Sequence, residues 1–155
     1  MAMHTWFECK IRYEKVMENG MQKKVTEPYL VDALIFTEAE ARMIEEMTPF
    51  ISGEFTVSDI KRANYSELFP SDEESADRWF KCKLIFITLD EKSGAEKKTS
   101  TQVLVQAADL RDAVKKLDEG MKGTMADYQI GMVSETPLMD VYPYSAGPND
   151  KPEFD

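Results

Sequence analysis

The chain has 155 residues, 43% of them hydrophobic, and a formal net charge of −10. Its length suits one ordinary domain or two very small ones, and its apolar content excludes general disorder. The acidic balance argues against nonspecific binding of duplex DNA, because such binding needs Lys and Arg to displace counterions.

The start of the chain and its cysteines predict where the protein works. The first residues lack the charged and apolar regions of a secretory signal, and no apolar run approaches the roughly 18 residues of a membrane span. Cys9 and Cys82 lie inside alternating apolar patterns, where a reduced cysteine behaves as a small hydrophobic residue. We therefore expect a cytoplasmic protein without membrane segments, since a reducing cytoplasm keeps thiols free.

The chain begins with a predicted pair of strands. Residues 5–16 alternate between apolar and polar side chains with a period of two, which indicates a half-buried strand. Asn19-Gly20 predicts a turn, because this pair accepts positive φ at low cost. Residues 23–34 return as a second strand, and Pro28 places that strand at an edge or a bulge.

A helix and a third strand follow. Thr37 and Glu40 fit a capping box at the start of a helix, and a stripe at helical spacing predicts its buried side through Ala39, Met43 and Met47. Residues 54–62 predict the third strand. Residues 63–70 lead out of this half, with room for a short fourth strand.

The second half repeats the same plan. Trp6-Phe7-Glu8-Cys9-Lys10 returns as Trp79-Phe80-Lys81-Cys82-Lys83, an offset of 73 residues, and the similarity continues nearly to the end of the chain. Self-similarity at a fixed period indicates internal duplication. The second copy predicts strands over about 78–89, 96–107 and 127–134, and a helix over about 110–121 with Asp109 as its N-cap.

The predicted fold class is α+β, built by internal duplication of a strand-strand-helix-strand unit. The simplest arrangement is a mainly antiparallel sheet with two helices packed on one face, in which the two Trp-Phe strands form the central pair. The repeats span 5–70 and 78–143 and are joined by an acidic linker, 71–77. We expect a single domain over 1–145, because each repeat alone would bury only a marginal core, and a flexible C-terminal tail over 146–155.

Nothing in the sequence selects a catalytic, cofactor-binding or metal-binding residue. The only histidine is His4, which removes most routes to a Ser-His-Asp triad or a histidine-rich metal site. No glycine-rich phosphate loop is present. With 29 carboxylates, chance proximity is easy. We therefore predict a protein that is not an enzyme and has no cofactor, and a carboxylate-dependent enzyme is the least favoured alternative.

A candidate ligand-binding surface lies on the strand face opposite the inward Phe and Cys residues. On that face an aromatic residue is followed by cations in both repeats, and a similar cluster follows the third strand. Bases stack on aromatic rings while cations follow phosphates, so the pattern predicts binding of single-stranded nucleic acid. The candidate residues are Trp6, Lys10, Arg12, Lys61, Arg62, Tyr65, Trp79, Lys81 and Lys83.

The alternative is a protein interface. In that case the same face is buried in a homodimer or against another protein, and the lysines are ordinary solvated neighbours. Ile85 and Ile87 share this face in the second repeat, which favours burial against a partner.

The last residues carry a further signal. Residues 150–155, Asp-Lys-Pro-Glu-Phe-Asp, are similar to the acidic tips through which bacterial single-strand DNA-binding proteins recruit partners. In those tips the phenylalanine is terminal, whereas here Asp155 follows it. We therefore interpret this segment as plain disorder, and a partner-recruiting tip is the alternative.

A family resemblance rests on four segments: Lys-Val-Thr-Glu-Pro-Tyr-Leu-Val-Asp-Ala-Leu over 24–34, Phe-Thr-Glu-Ala-Glu-Ala-Arg over 36–42, Asp-Ile-Lys-Arg-Ala-Asn-Tyr over 59–65 and Arg-Trp-Phe-Lys-Cys-Lys over 78–83. Together they resemble an uncharacterised family of small proteins of unknown function from gut Bacteroidetes and their phages or mobile elements. The resemblance covers nearly all of 5–143. It implies a bacterial cytoplasmic setting and assigns no site residues.

Overall fold

The computed structural model describes residues 5–143, and mostly antiparallel strands and two helices make up this part of the chain. In chain order the elements are β1 (Trp6–Val16), β2 (Gln22–Asp32), α1 (Phe36–Met47), β3 (Phe55–Ala63), β4 (Glu67–Phe69), β5 (Arg78–Leu89), β6 (Glu96–Ala107), α2 (Leu110–Gly120), β7 (Asp127–Glu135) and β8 (Val141–Tyr142). The predicted α+β class is confirmed. His4 and the predicted flexible tail, 146–155, lie outside the described residues.

The chain divides into two compact units, Met1–Ala63 with Leu138–Asp155, and Asn64–Pro137. Each unit holds one four-stranded sheet, in the order β3-β1-β2-β8 in the first and β7-β5-β6-β4 in the second. The expected pairing of the two Trp-Phe strands is wrong. β1 already lies between β2 and β3, and β5 lies between β6 and β7, so neither strand has an open edge for the other.

Each sheet is completed by a short strand from a distant part of the chain. β4 follows β3 in the sequence but pairs in parallel with β6, where Leu68 lies opposite Leu104. β8 follows β7 but pairs in parallel with β2, where Val141 lies opposite Leu30. The two pairings occupy equivalent positions in the two halves, because Leu104 follows Leu30 by 74 residues and Val141 follows Leu68 by 73.

One helix packs on one face of each sheet. The apolar stripe predicted for α1 is buried, and it packs in a cluster with three side chains of β1; these six residues are Ala39, Met43, Met47, Phe7, Cys9 and Ile11. The second unit has the same arrangement, with Ala113 and Leu117 of α2 packed with Phe80, Cys82 and Leu84 of β5. The candidate surface was predicted on the other face of each sheet, the one that the helix does not cover.

The start of α1 differs from the prediction. The helix begins at Phe36, so Thr37 lies inside its first turn and the predicted capping box is wrong. The N-cap position is Ile35, which makes no side-chain cap hydrogen bond. Instead, the carboxylate of Glu38 accepts a hydrogen bond from the backbone N–H of Leu34 at 2.5 Å.

α2 starts as predicted. Asp109 is its N-cap, and the Asp109 carboxylate accepts a hydrogen bond from the backbone N–H of Asp112 at 2.8 Å. Across residues 5–143, neither helix has the length and apolar character that a membrane-spanning helix needs.

Candidate functional site

The structure buries both predicted tryptophans. Trp6 exposes 4% of its surface and Trp79 exposes 5%. Leu30 and Leu104, which lie on the same sheet faces in the adjacent strands, are fully buried as well. The sequence predicts accessible rings at these positions, whereas neither indole offers a free face for a stacked base.

The predicted cations lie further along the same strands and are more accessible. Lys10 and Lys81 are half-buried, and Arg12 and Lys83 are exposed. Among the residues that the structure describes, none of these four side chains makes a salt bridge. They are therefore free to contact an anionic ligand, although they do so without the adjacent tryptophan rings.

The predicted cluster after the third strand is divided between surfaces. Lys61 and Arg62 are successive residues of the edge strand β3, so their side chains point to opposite faces of the sheet. The guanidinium of Arg62 lies 5.3 Å from the ring centroid of Phe7 and 5.4 Å from that of Phe36, on the helix side. Tyr65 belongs to the second unit and is half-buried. Binding of nucleic acid by these residues stays a prediction.

An exposed apolar run that the sequence reasoning missed lies between β2 and α1. Leu34, Ile35 and Phe36 expose 68%, 58% and 45% of their surfaces. Phe36 packs edge-on against the buried Phe7, with ring centroids 4.9 Å apart, and Arg62 lies over both rings. We call Leu34–Phe36 the apolar run. The four consecutive apolar residues from Ala33 were its signal in the sequence.

The equivalent position in the second unit shows that this run is specific to the first. At an offset of 74 residues, Ile35 corresponds to Asp109, which caps α2. Replacing a capping side chain by an apolar one costs a helix about 1 kcal/mol. The first unit therefore lacks a stabilising side-chain cap and exposes a large apolar side chain at that point.

A cavity of about 830 Å³ lies at the other end of the first unit's sheet. It is formed by the last residues of β1, the start of β2 and the segment that leads into β3. Arg12 and Lys24 line it together with Phe50, whose side chain is exposed. Here the structure brings a predicted site residue next to a further cation and an exposed aromatic ring.

The thiols are not activated nucleophiles. Burial, followed by the negative charges of Glu8 and Asp59, raises the pKa of Cys9 to about 12. Burial raises the pKa of Cys82 to about 11. Both thiols are protonated at neutral pH, and the thiolate is the reactive form. Within residues 5–143 there is also no group of three or more His, Cys, Asp or Glu side chains arranged to hold a metal ion.

The carboxylate of Glu27, in the first unit, accepts hydrogen bonds from two tyrosine hydroxyls. The Tyr13 hydroxyl donates a hydrogen bond to Glu27 at 2.9 Å, the Tyr29 hydroxyl donates one at 3.4 Å, and the Lys15 ammonium lies 3.5 Å away. Burial raises the pKa of Tyr13 to about 12, and the hydrogen bond to Glu27 adds to the effect. Burial also raises the pKa of Tyr29. Because these groups hydrogen-bond and pair with one another, the cluster holds β1 to β2.

Comparison with known proteins gives a family and no described function. No curated protein and no solved structure matches the chain. The family model that matches, over residues 5–144, has the description "Domain of unknown function (DUF4494)". The resemblance to an uncharacterised family is confirmed to that extent, and the chain belongs to the DUF4494 family.

Proposed function

We propose that this protein is a non-enzymatic binding protein whose partner is another protein. The observation that carries the proposal is the apolar run, which stands exposed at the position where the equivalent helix of the second unit has its cap. The protonated thiols and the hydrogen-bonded tyrosines fit a binding role better than catalysis.

The chemistry of this surface suits a protein partner that carries an apolar side chain beside a carboxylate. Aromatic residues and arginine dominate the energetics of protein interfaces, and here Phe36 and Arg62 are in contact. Among the described residues Arg62 makes no salt bridge. Its guanidinium can therefore form a charge-assisted hydrogen bond with a partner's carboxylate.

Ile35→Asp tests this proposal without breaking the fold. The substitution removes the central side chain of the apolar run and installs the residue type that caps α2, so helix α1 should gain about 1 kcal/mol. We expect affinity capture from the producing cells, read by quantitative mass spectrometry, to retain a protein on the wild type and to lose it on I35D. The purified captured protein should then bind I35D at least about ten-fold more weakly than wild type.

Leu110→Ala is the matched control. Leu110 is also exposed and lies at the start of α2, so this variant should capture the same protein as wild type. Light scattering decides whether the captured protein is a second copy of the chain. Identical capture by wild type and a folded I35D would overturn the proposal.

A second candidate function, binding of single-stranded nucleic acid, is favoured by the cavity that Arg12, Lys24 and Phe50 line. Fluorescent single-stranded DNA and RNA, titrated at low and moderate salt, test it. Binding should weaken as salt rises, because released counterions drive it, and Arg12→Glu with Lys24→Glu should abolish it. Absence of binding at low salt would remove this candidate.

A bacterial cytoplasmic setting is part of the proposal. Two buried, reduced thiols support it, since a reducing compartment maintains free cysteines. Fractionation of the producing cells checks it, and recovery from the secreted fraction would contradict it.

A further inference from the structure

The apolar run lies beside the point where the described part of the chain stops. The guanidinium of Arg42 donates hydrogen bonds to two backbone carbonyl oxygens, those of Asp32 and Pro143, the latter at 3.1 Å. Asp32 is two residues before Leu34, and Pro143 is the last described residue. One side chain of α1 therefore holds the last described residue close to Asp32, two residues before the apolar run.

The composition of this segment complements that surface. It ends Asp-Lys-Pro-Glu-Phe-Asp, so Phe154 stands between the carboxylates of Glu153 and Asp155. The surface is complementary: it has three exposed apolar side chains, and one of them, Phe36, lies against the Arg62 guanidinium. An aromatic side chain can cover the apolar run while a neighbouring carboxylate pairs with the arginine.

We propose that residues 150–155 dock on the apolar run of the same molecule, with Phe154 against Leu34–Phe36 and a carboxylate paired with Arg62. This inference rests on the proposed function, because it makes the chain's own C-terminal segment a competitor of the protein partner. The partner is then expected to carry the same combination of an aromatic or aliphatic side chain and a carboxylate.

Residues 150–155 and the apolar run belong to the same chain, so even a weak contact between them would be substantially occupied. The 11 residues that follow Pro143, up to and including Phe154, can span up to roughly 36 Å when extended. A short linker of this kind gives an effective concentration in the millimolar range. A contact with a Kd of about 1 mM in isolation would therefore be occupied about half the time in the intact chain.

Backbone NMR of the full chain tests the docking. Phe154→Ala should shift the amide signals of Leu34–Phe36, and Ile35→Asp should shift those of residues 150–155. Leu110→Ala should leave residues 150–155 unchanged. The shifts should be independent of protein concentration over about a hundred-fold range, because binding within one molecule does not dilute.

Two results would overturn the inference. The first is that the amide signals of Leu34–Phe36 stay unchanged in Phe154→Ala. The second is that the shifts vanish on dilution, which would mean docking on a second copy.

Failure of the docking inference can be distinguished from failure of the proposed function. If Ile35→Asp loses the partner while Phe154→Ala shifts no amides, only the docking is wrong. If Phe154→Ala shifts the amides while Ile35→Asp loses no partner, only the proposed function is wrong. If both are right, Phe154→Ala should tighten partner binding about two-fold, as expected when a half-occupied competitor is removed.

Discussion

Trp6 and Trp79 show how one residue pattern serves two different roles. Alternation along a strand establishes that each tryptophan shares a face with the cations that follow it, and this part of the prediction agrees with the register. Whether that face is covered depends on residues from distant parts of the chain, which no local pattern records. The two rings are buried in the described structure, so their effect is expected on stability.

Trp79→Ala should therefore unfold far more easily than wild type. Truncation of a buried tryptophan removes its transfer free energy and leaves a cavity, which lowers the free energy of unfolding by about 3–5 kcal/mol. Urea denaturation measures this, with the exposed Lys83→Ala as a control that should change stability by less than about 0.5 kcal/mol. An unchanged urea midpoint for Trp79→Ala would show that the indole is solvent-accessible.

The buried acids predict loss of stability in alkali. Burial raises the pKa of Tyr13, Tyr142 and Cys9 to about 12 and that of Cys82 to about 11. The unfolded chain releases the same protons near pH 8.5 for Cys and 10 for Tyr. The resulting stabilisation is fully present below the pKa values that these side chains have in the unfolded chain. It is lost as the pH rises through the higher pKa values that they have in the folded chain. Thermal midpoints should fall from about pH 9 upward, less steeply in Tyr13→Phe. A midpoint that stays constant to pH 11 would contradict this.

At the scale of elements, the contact between β4 and α2 depends on a glycine. A Cβ atom added to Gly120 would lie 2.9–3.0 Å from three ring atoms of Phe69. Gly→Ala normally stabilises a helix by about 0.5–1 kcal/mol. Here, however, the whole ring of Phe69 would have to shift to make room for the added methyl group. We expect Gly120→Ala to destabilise the wild type and to stabilise Phe69→Ala, where the ring is absent.

Urea denaturation of the four proteins in this double-mutant cycle gives the coupling between Gly120 and Phe69. A coupling of about 1 kcal/mol or more is expected for groups in direct contact. Additive effects would mean that the ring does not pack on the helix as described.

Much of the element order could be predicted from the sequence, because periodicity is a local property. β1, the Asn19-Gly20 turn and the buried stripe of α1 follow from spacing alone. The start of α1 could not be predicted, because Phe36 enters the helix to pack against Phe7 and so moves Thr37 beyond the cap position. Tertiary contact outweighs the local capping preference here.

Strand pairing and the candidate site were harder to predict for the same reason. Nothing in Glu67–Phe69 indicates that it leaves its own half to pair with β6. Likewise, Lys61 and Arg62 look like one basic cluster in the sequence, but the strand places them on opposite faces. The apolar run was visible as consecutive apolar residues, yet its exposure depends on the three-dimensional fold.

At the scale of the whole molecule, the two units agree in more than composition. Their strand orders are the same. The β1–β3 pairing changes register between Lys10 and Ile11, and the β5–β7 pairing does so between Lys83 and Leu84, an offset of 73 residues. On the basis of these agreements, we propose that the two units are copies of one ancestral segment. In such an ancestor the short last strand would have completed the sheet of a second molecule.

A fragment of residues 1–75 tests that history. It contains β1, β2, α1, β3 and β4, but it lacks both β8, which pairs with Leu30 and Val31, and β6, which pairs with β4. In two copies of the fragment, Leu68 and Phe69 of each can take the place of Val141 and Tyr142 on the other, because the two pairs lie 73 residues apart and pair in parallel at corresponding positions of the two sheets. This reciprocal exchange closes a two-fold dimer.

We therefore expect the fragment to be a dimer by light scattering, with helical circular dichroism that is lost on dilution, because a half of this size is marginally stable alone. Leu68→Asp places a charge in the exchanged strand and should give an unfolded monomer. A Ser66→Asp fragment, altered just before that strand at an exposed position, should remain a dimer. If the fragment folds as a stable monomer, β4 has no need of a partner sheet. The exchange of strands would then be a feature of the present chain alone, without an origin in a dimeric ancestor.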